Sequence, residues 1–301
     1  MKKRKNETQL INNSKTDRLL LFINRIFLSL IVICVTVPLI YVVLGSFLQP
    51  NVLLTRGISF NPEHWTIDGY VRIFEDGTIM RGFLNSVFYA TGFTLVSITF
   101  TVLAGYSLSI DDLVGKKIFT VYFLFAMFFN GGMIPTYLVV RSIGLVDTPW
   151  AIILPGAIGI WNIILARTFF KGLPNELKEA ARIDGASDLR IFFNIILPLS
   201  KPIIFVIALF AFIGNWNSYF DAMIYLNDRS LYPLQLILRE ILVQNEVQPG
   251  MIGDQLARAE MQRIAEMIKY SSIVVASLPL MIMYPFFQKY FEKGVMVGSL
   301  K

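Results

Sequence analysis

Long apolar runs alternate with polar intervals along the chain, and the runs have the length of membrane crossings. Six segments fit: about 20–47, 83–110, 118–140, 149–166, 203–225 and 270–287. A bilayer core takes about 20 mostly apolar helical residues. Each run is nearly free of charge, and the long stem of Arg25 in the first run lets its guanidinium reach the interface. Pro38, Pro135, Pro155 and Pro279 fall inside runs, where neighbouring helices can satisfy the freed carbonyls.

Two intervals are long. Residues 49–81 hold Pro50, Pro62, Trp65 and Tyr70 and read as a segment lying partly on the membrane surface. Residues 226–269 contain an amphipathic stretch, 231–243, in which Leu234, Ile237, Leu238, Ile241 and Leu242 recur at helical spacing. Arg239 and Glu240 prevent it from spanning, so it predicts an interfacial or packed outer helix. The stretch 244–258, with Pro249, Gly250 and Gly253, reads as a loop. No short-period repeat or low-complexity segment is evident.

Composition supports an all-α integral membrane protein. Of 301 residues, 55% are hydrophobic and 16% charged, where soluble domains carry about 25% charged residues. The length would accommodate two soluble domains, but the runs make it one bundle in lipid. The net charge of +6 would suggest nucleic acid as a partner of a soluble protein. Here the basic residues flank apolar runs and no recognition motif is visible, which excludes that class.

Basic residues also orient the chain. With the N-terminus inside, segments 1–18, 111–117, 167–201 and 289–301 hold 17 Lys and Arg, against 9 in the longer opposite loops. The positive-inside rule therefore places both termini in the cytoplasm. The run behind Lys2-Lys3-Arg4-Lys5 is too long for a signal-peptide core and lacks a cleavage site, so it reads as an uncleaved span. The resulting divisions are a cytoplasmic tail 1–18, a first span with outer segment 19–82, a transmembrane domain 83–291 and a cytoplasmic tail 292–301.

Side-chain chemistry argues against an enzyme. Cys34 is the one cysteine and His64 the one histidine, so no internal disulfide and no Cys/His zinc cluster can form, and no Ser–His–Asp or Cys–His arrangement can be argued. His64 reads as solvated or locally bonded. No G-x-x-x-x-G-K-[ST] phosphate loop is present, so the chain carries no nucleotide site of that kind and no cofactor of its own.

The most informative interval is polar: residues 172–202, GLPNELKEAARIDGASDLRIFFNIILPLSKP. Pro174 suits the first turn of a helix, and residues 175–184 are good helix formers, with Glu176 near the positive helix end. Gly185 suits a left-handed terminating residue, and Ser187 can cap a second helix starting near Asp188. The interval predicts a helix, a tight turn and a second helix reaching Pro198 and Pro202.

Glu179, Ala180, Ala181, then Gly185, then Ile195, Leu197 and Pro198 stand at the EAA–G–I-x-LP spacing. In this the chain resembles the inner-membrane permeases of binding-protein-dependent ABC importers, specifically the maltose-type carbohydrate-uptake branch. Asn85-Ser86, Gly131-Gly132-Met133-Ile134-Pro135-Thr136-Tyr137, Phe169–Pro174, Trp216-Asn217, Tyr284-Pro285-Phe286 and Gln288-Lys289-Tyr290-Phe291 fit the same branch. Tyr232-Pro233-Leu234-Gln235 and Lys293–Ser299 are most similar to the oligosaccharide-handling subgroup named for LplC and YtcP.

The resemblance implies a type I importer permease fold of six transmembrane helices in the cytoplasmic membrane of a bacterium. It implies a heterodimer with a second, homologous permease subunit, two ATPase subunits that hold ATP and Mg, and an extracytoplasmic sugar-binding protein. It places Glu179, Ala180, Ala181, Asp184 and Gly185 in the ATPase cleft. It also directs the loop with Pro249, Gly250, Asp254 and Arg258 toward the binding protein.

Asn215, Trp216, Asn217, Tyr219 and Asp221, polar or aromatic near the outer half of the fifth run, are candidates for the sugar path. Equally open is a structural reading, with Trp216 and Tyr219 as interface anchors and Asn217 bonded to a neighbouring helix. The alternative function is a secondary transporter or channel for small solutes. Such proteins usually carry buried ionisable groups, and these runs offer almost none.

Overall fold

A computed structural model describes residues 15–244 and 255–298, and every regular element among them is helical. The chain forms two compact units, Met1–Ile67 and Asp68–Lys301.

In the first unit the helix Lys15–Gly45 exposes apolar side chains around its whole circumference, from Leu19 to Ile40. By length and composition this helix can cross a membrane. Pro38 lies inside it. A short helix Pro50–Arg56 and a 3-10 turn Pro62–His64 follow. They are tied back by the amide of Gln49 donating to the His64 carbonyl (2.9 Å) and by Phe47 stacked on Trp65. His64 Nδ1 lies 2.7 Å from Ser59 Oγ, which makes it the locally bonded of the two alternatives read for it.

The second unit is built around the helix Gly77–Ser109, started by the Asp76 carboxylate, which accepts from the amides of Thr78 and Ile79. The helices Ile160–Lys171, Lys201–Trp216 and Leu234–Gln244 pack along it. Close approach depends on glycine. A Cβ on Gly105 would lie 2.7 Å from the Ala166 Cβ, and one on Gly82 would overlap Ile237.

At the outer helix two sequence motifs meet. The Asn85 amide donates to the carbonyls of Ser230 (2.9 Å) and Tyr232 (3.0 Å), and Ser86 Oγ accepts from the Leu234 amide at 2.8 Å. Ser86 thus acts as a cap supplied from a different helix, satisfying a donor that the helix start leaves open. The expected amphipathic helix is present as Leu234–Gln244, its Leu234, Ile237 and Leu238 buried.

The apolar runs are less regular than their hydropathy suggests. Among the described residues, three helices are long and apolar enough to cross a membrane: Asp17–Gly45, Gly77–Ser109 and Met267–Gln288. The count becomes five if each of two bent pairs is one crossing. The third run breaks between Lys116–Phe128 and Met133–Ser142, which bend by 115°. Gly132 at φ 87° and the Asn130 side chain accepting its amide turn the chain there.

The fourth run is two short helices, Trp150–Ile153 and Ile160–Lys171, so the single helix expected over 149–166 is not formed. Leu154 still bonds back to Trp150 (3.0 Å), but Pro155 has no N–H to extend the helix, and Gly156 takes φ 74°. The fifth run ends as a continuous helix at Trp216 and resumes at Phe220–Tyr225. The sixth belongs to a 44-residue helix, Gln255–Gly298. Residues 255–258, expected in a loop, are therefore helical.

Candidate functional site

The interval 172–202 folds as helix, turn and helix. The first helix is Glu176–Ile183. Pro174 stands just ahead of it rather than in its first turn. The end is a Schellman motif: the Gly185 amide donates to the Arg182 carbonyl (3.0 Å) and the Ala186 amide to the Ala181 carbonyl (2.9 Å). Gly185 takes φ 78°, and a Cβ there would meet nothing within 4 Å, so conformation alone calls for glycine.

Ser187 Oγ accepts from the Arg190 amide (3.4 Å) and starts the helix Asp188–Ile191. A π turn, Phe192–Ile196, follows, with the Leu197 amide reaching back to the Phe192 carbonyl. This widened turn precedes Pro198, whose ring a regular helix would drive against the carbonyl four residues earlier. The stretch Asp188–Leu199 then meets Lys201–Trp216 at 74°. Pro202 sits in the first turn of the latter.

Neighbouring residues of the first helix divide sharply. Ala181 is buried, in a cluster with Val102, Ala166, Phe170, Ile191, Ile196 and Ile207. Tyr106 closes the same cluster against Phe170 and Phe192, with the Lys178 ammonium 6.0 Å above its ring. Glu179, Ala180, Asp184 and Gly185 are exposed. Beside them Ile183 is 87% exposed and Leu189 also stands in the open, giving an acidic and apolar mixed face. The Arg182–Asp188 ion pair (3.1 Å) bridges the turn but is exposed and contributes little stability. Ala181 and Ile191 thus join the exposed face to the helices Gly77–Ser109, Ile160–Lys171 and Lys201–Trp216.

Nearby, the Asp111 carboxylate bonds Lys116 (2.8 Å) and lies 3.5 Å from Lys171. The hydrogen bond and charge of Lys116, then the charge of Lys171, hold the Asp111 carboxyl below its ordinary range.

The five candidates of the fifth run separate. Trp216 is 1% exposed and wholly within the protein, its indole N–H donating to the Ala276 carbonyl (3.1 Å) and its ring packed by Phe83 and Phe212. Asn215 is half-buried and donates to the Ile152 carbonyl (3.3 Å). Asp221 is exposed, accepting from Ser218 Oγ (3.4 Å). Asn217 bonds its own helix at Ile213 (3.0 Å) and, with Tyr219, lines a groove of about 520 Å³. Gln235, Arg239 and Leu242 of the outer helix form its other wall. They recur at spacings of four and three, one face of that helix. Arg239, read from sequence only as a barrier to spanning, places its guanidinium 5.4 Å from the Tyr219 ring centre. A second helical stripe beside the apolar one was the available signal.

Pro249, Gly250 and Asp254 lie outside the described residues. Arg258 lies on the helix Gln255–Gly298, with its side chain outside what is described.

Comparison with known proteins agrees with this architecture. The family model described as "Binding-protein-dependent transport system inner membrane component" matches residues 10–297. Protein LplC of Bacillus subtilis (strain 168) is 39% identical over 98% of this chain and 99% of its own length. The polygalacturonan/rhamnogalacturonan transport system permease protein YtcP of the same organism is 41% identical over 91% of this chain and 96% of its own. A chain of the crystal structure of a bacterial ABC transporter involved in the import of the acidic polysaccharide alginate superposes with TM-score 0.82. It is 32% identical, covering 92% of this chain and 98% of that one.

Proposed function

We propose that this chain, which belongs to the family of binding-protein-dependent transport system inner membrane components, is a permease subunit of an ATP-driven importer of sugars, oligosaccharides in particular. It forms half of the translocation pore beside a second, homologous permease. Two ATPase subunits supply ATP, Mg and hydrolysis, and an extracytoplasmic binding protein delivers the sugar. The sugar assignment draws support from LplC-like and YtcP-like relatives and from the alginate importer's matching chain.

One observation carries the coupling role. The helix Glu176–Ile183 buries Ala181 in the protein while presenting Glu179, Ala180 and Ile183 outward, and its far end is locked by the turn at Gly185. Such a helix suits a groove on an ATPase: the carboxylate meets a basic partner and the small alanine allows close approach. ATPase closure would push this lever and tilt the helices behind it, exchanging an outward for an inward cavity between discrete packings.

In this reading the protein is a multi-pass component of a bacterial cytoplasmic membrane with both termini inside. It has six crossings when Trp150–Ile153 and Ile160–Lys171 together make the remaining broken one. The test is binding-protein-stimulated ATPase activity of the reconstituted complex. Glu179→Ala is expected to insert normally yet to assemble poorly with the ATPases or to lose stimulation. Normal stimulation and uptake in that variant would overturn the coupling role.

A further inference from the structure

The groove between the fifth apolar helix and the outer helix holds an uncommon cation. Arg239 is half-buried and, among the described residues, forms no ion pair or hydrogen bond; the Tyr219 ring lies beside its guanidinium. The adjacent acid, Glu240, is already engaged by Arg229 at 3.2 Å. Arg239 therefore keeps its fork of N–H donors for another group. A partly buried charge without a partner is unfavourable, so the arrangement makes sense where an anion visits.

The surroundings narrow the anion. The volume of about 520 Å³ falls in the range of small-molecule sites, about 300–1,000 Å³. Asn217 and Gln235 provide amides, and Ser277 a hydroxyl, for hydrogen bonds to hydroxyl groups. Tyr219, 40% exposed, offers a ring face to C–H surfaces. Leu242 and Leu280 complete an apolar floor. Guanidinium pairs with carboxylate in a planar, two-bond geometry. Hydroxyls, an apolar ring face and a carboxylate occur together in a uronic acid unit.

We propose that this groove is a subsite for acidic oligosaccharides. Arg239 binds the uronate carboxylate while Tyr219 and Asn217 receive the sugar ring. The proposal rests on the sugar-importer reading above and adds the chemical class of the cargo and the residue that selects it.

The experiment is uptake into proteoliposomes holding the full complex with its binding protein and ATP. Trigalacturonate is compared with its methyl ester, which has the same rings without the charge, and with a neutral oligosaccharide panel. The wild type is expected to favour the acid. Arg239→Gln is expected to reduce acid uptake about tenfold or more, in line with a lost charge-assisted hydrogen bond, and to leave ester uptake within about twofold. Arg239→Lys should fall between.

An acid-to-ester ratio unchanged by Arg239→Gln overturns the subsite. So does uptake of neutral sugars alone by the wild type, which leaves the sugar-importer reading intact. Uptake of no sugar at all overturns both. Loss of the second permease subunit from the purified Arg239→Gln complex would assign Arg239 to a carboxylate of that partner and overturn the subsite as well.

Discussion

The Ala186 amide donates to the Ala181 carbonyl at 2.9 Å across the turn at Gly185, joining the buried anchor of the short helix to the start of the next one. That bond requires the left-handed conformation at residue 185. Gly185→Val places a β-branched side chain at φ 78° and is expected to destabilise the turn by about 1–2 kcal/mol. Gly185→Asn should cost less, because asparagine tolerates this region. Space does not discriminate between them, since a Cβ meets nothing there. Stimulated ATPase activity should fall in the order Gly, Asn, Val, with amounts of inserted protein similar. An unaltered activity in Gly185→Val would show that the turn's geometry is irrelevant to coupling.

Gly105 and Ala166 set the spacing of two packed helices. Gly105→Ala introduces a Cβ 2.7 Å from that of Ala166, and overpacking of this kind costs about 1–3 kcal/mol. The thermal unfolding midpoint in detergent should drop. Because the clash is side chain on side chain, adding Ala166→Gly should restore part of the loss, though the Arg167 amide at 3.1 Å keeps the fit tight. Absence of any rescue would place the damage in the backbone contact instead.

Ser86 caps the outer helix from a neighbouring one. Ser86→Ala leaves the Leu234 amide without its acceptor in a buried place, at an expected cost of about 1–3 kcal/mol. Hydrogen exchange should quicken at the start of Leu234–Gln244 while the lower part of the protein, around Ala181, stays protected. Uniform acceleration across both regions would argue for global destabilisation rather than a local cap.

Asp111 gives a pH prediction. Its folded-state pKa is depressed by Lys116 and Lys171, so the ties hold above the ordinary carboxylate range and are lost as pH falls through the lowered value. The carboxyl carbon shift of Asp111 should titrate below the usual range for aspartate. Lys116→Met should move that midpoint upward; an unmoved midpoint would assign the depression to other charges.

The outer helix and the turn at Gly185 were legible because periodicity and a positive-φ residue are local properties. The course of the third and fourth apolar runs was not. Hydropathy records how apolar a stretch is, whereas Asn130-Gly131-Gly132 and Pro155-Gly156 decide its direction. Trp216 and Tyr219 look alike in sequence, yet one fills the interior and the other borders a groove. Their separation depends on where the helix Lys201–Trp216 stops, at Asn217, three residues before the next helix starts at Phe220. Arg239 gained meaning only when the chain brought Tyr219 opposite it.

Of the four tryptophans, Trp65, Trp150 and Trp161 are exposed, and Trp216 alone is shielded on every side. With the other three replaced by phenylalanine, the protein would carry a native optical reporter at the contact of Lys201–Trp216 with the helix bearing Ala276. Its emission should be blue and resistant to acrylamide and brominated lipid alike. A red shift during turnover would time the parting of those two helices without an attached dye.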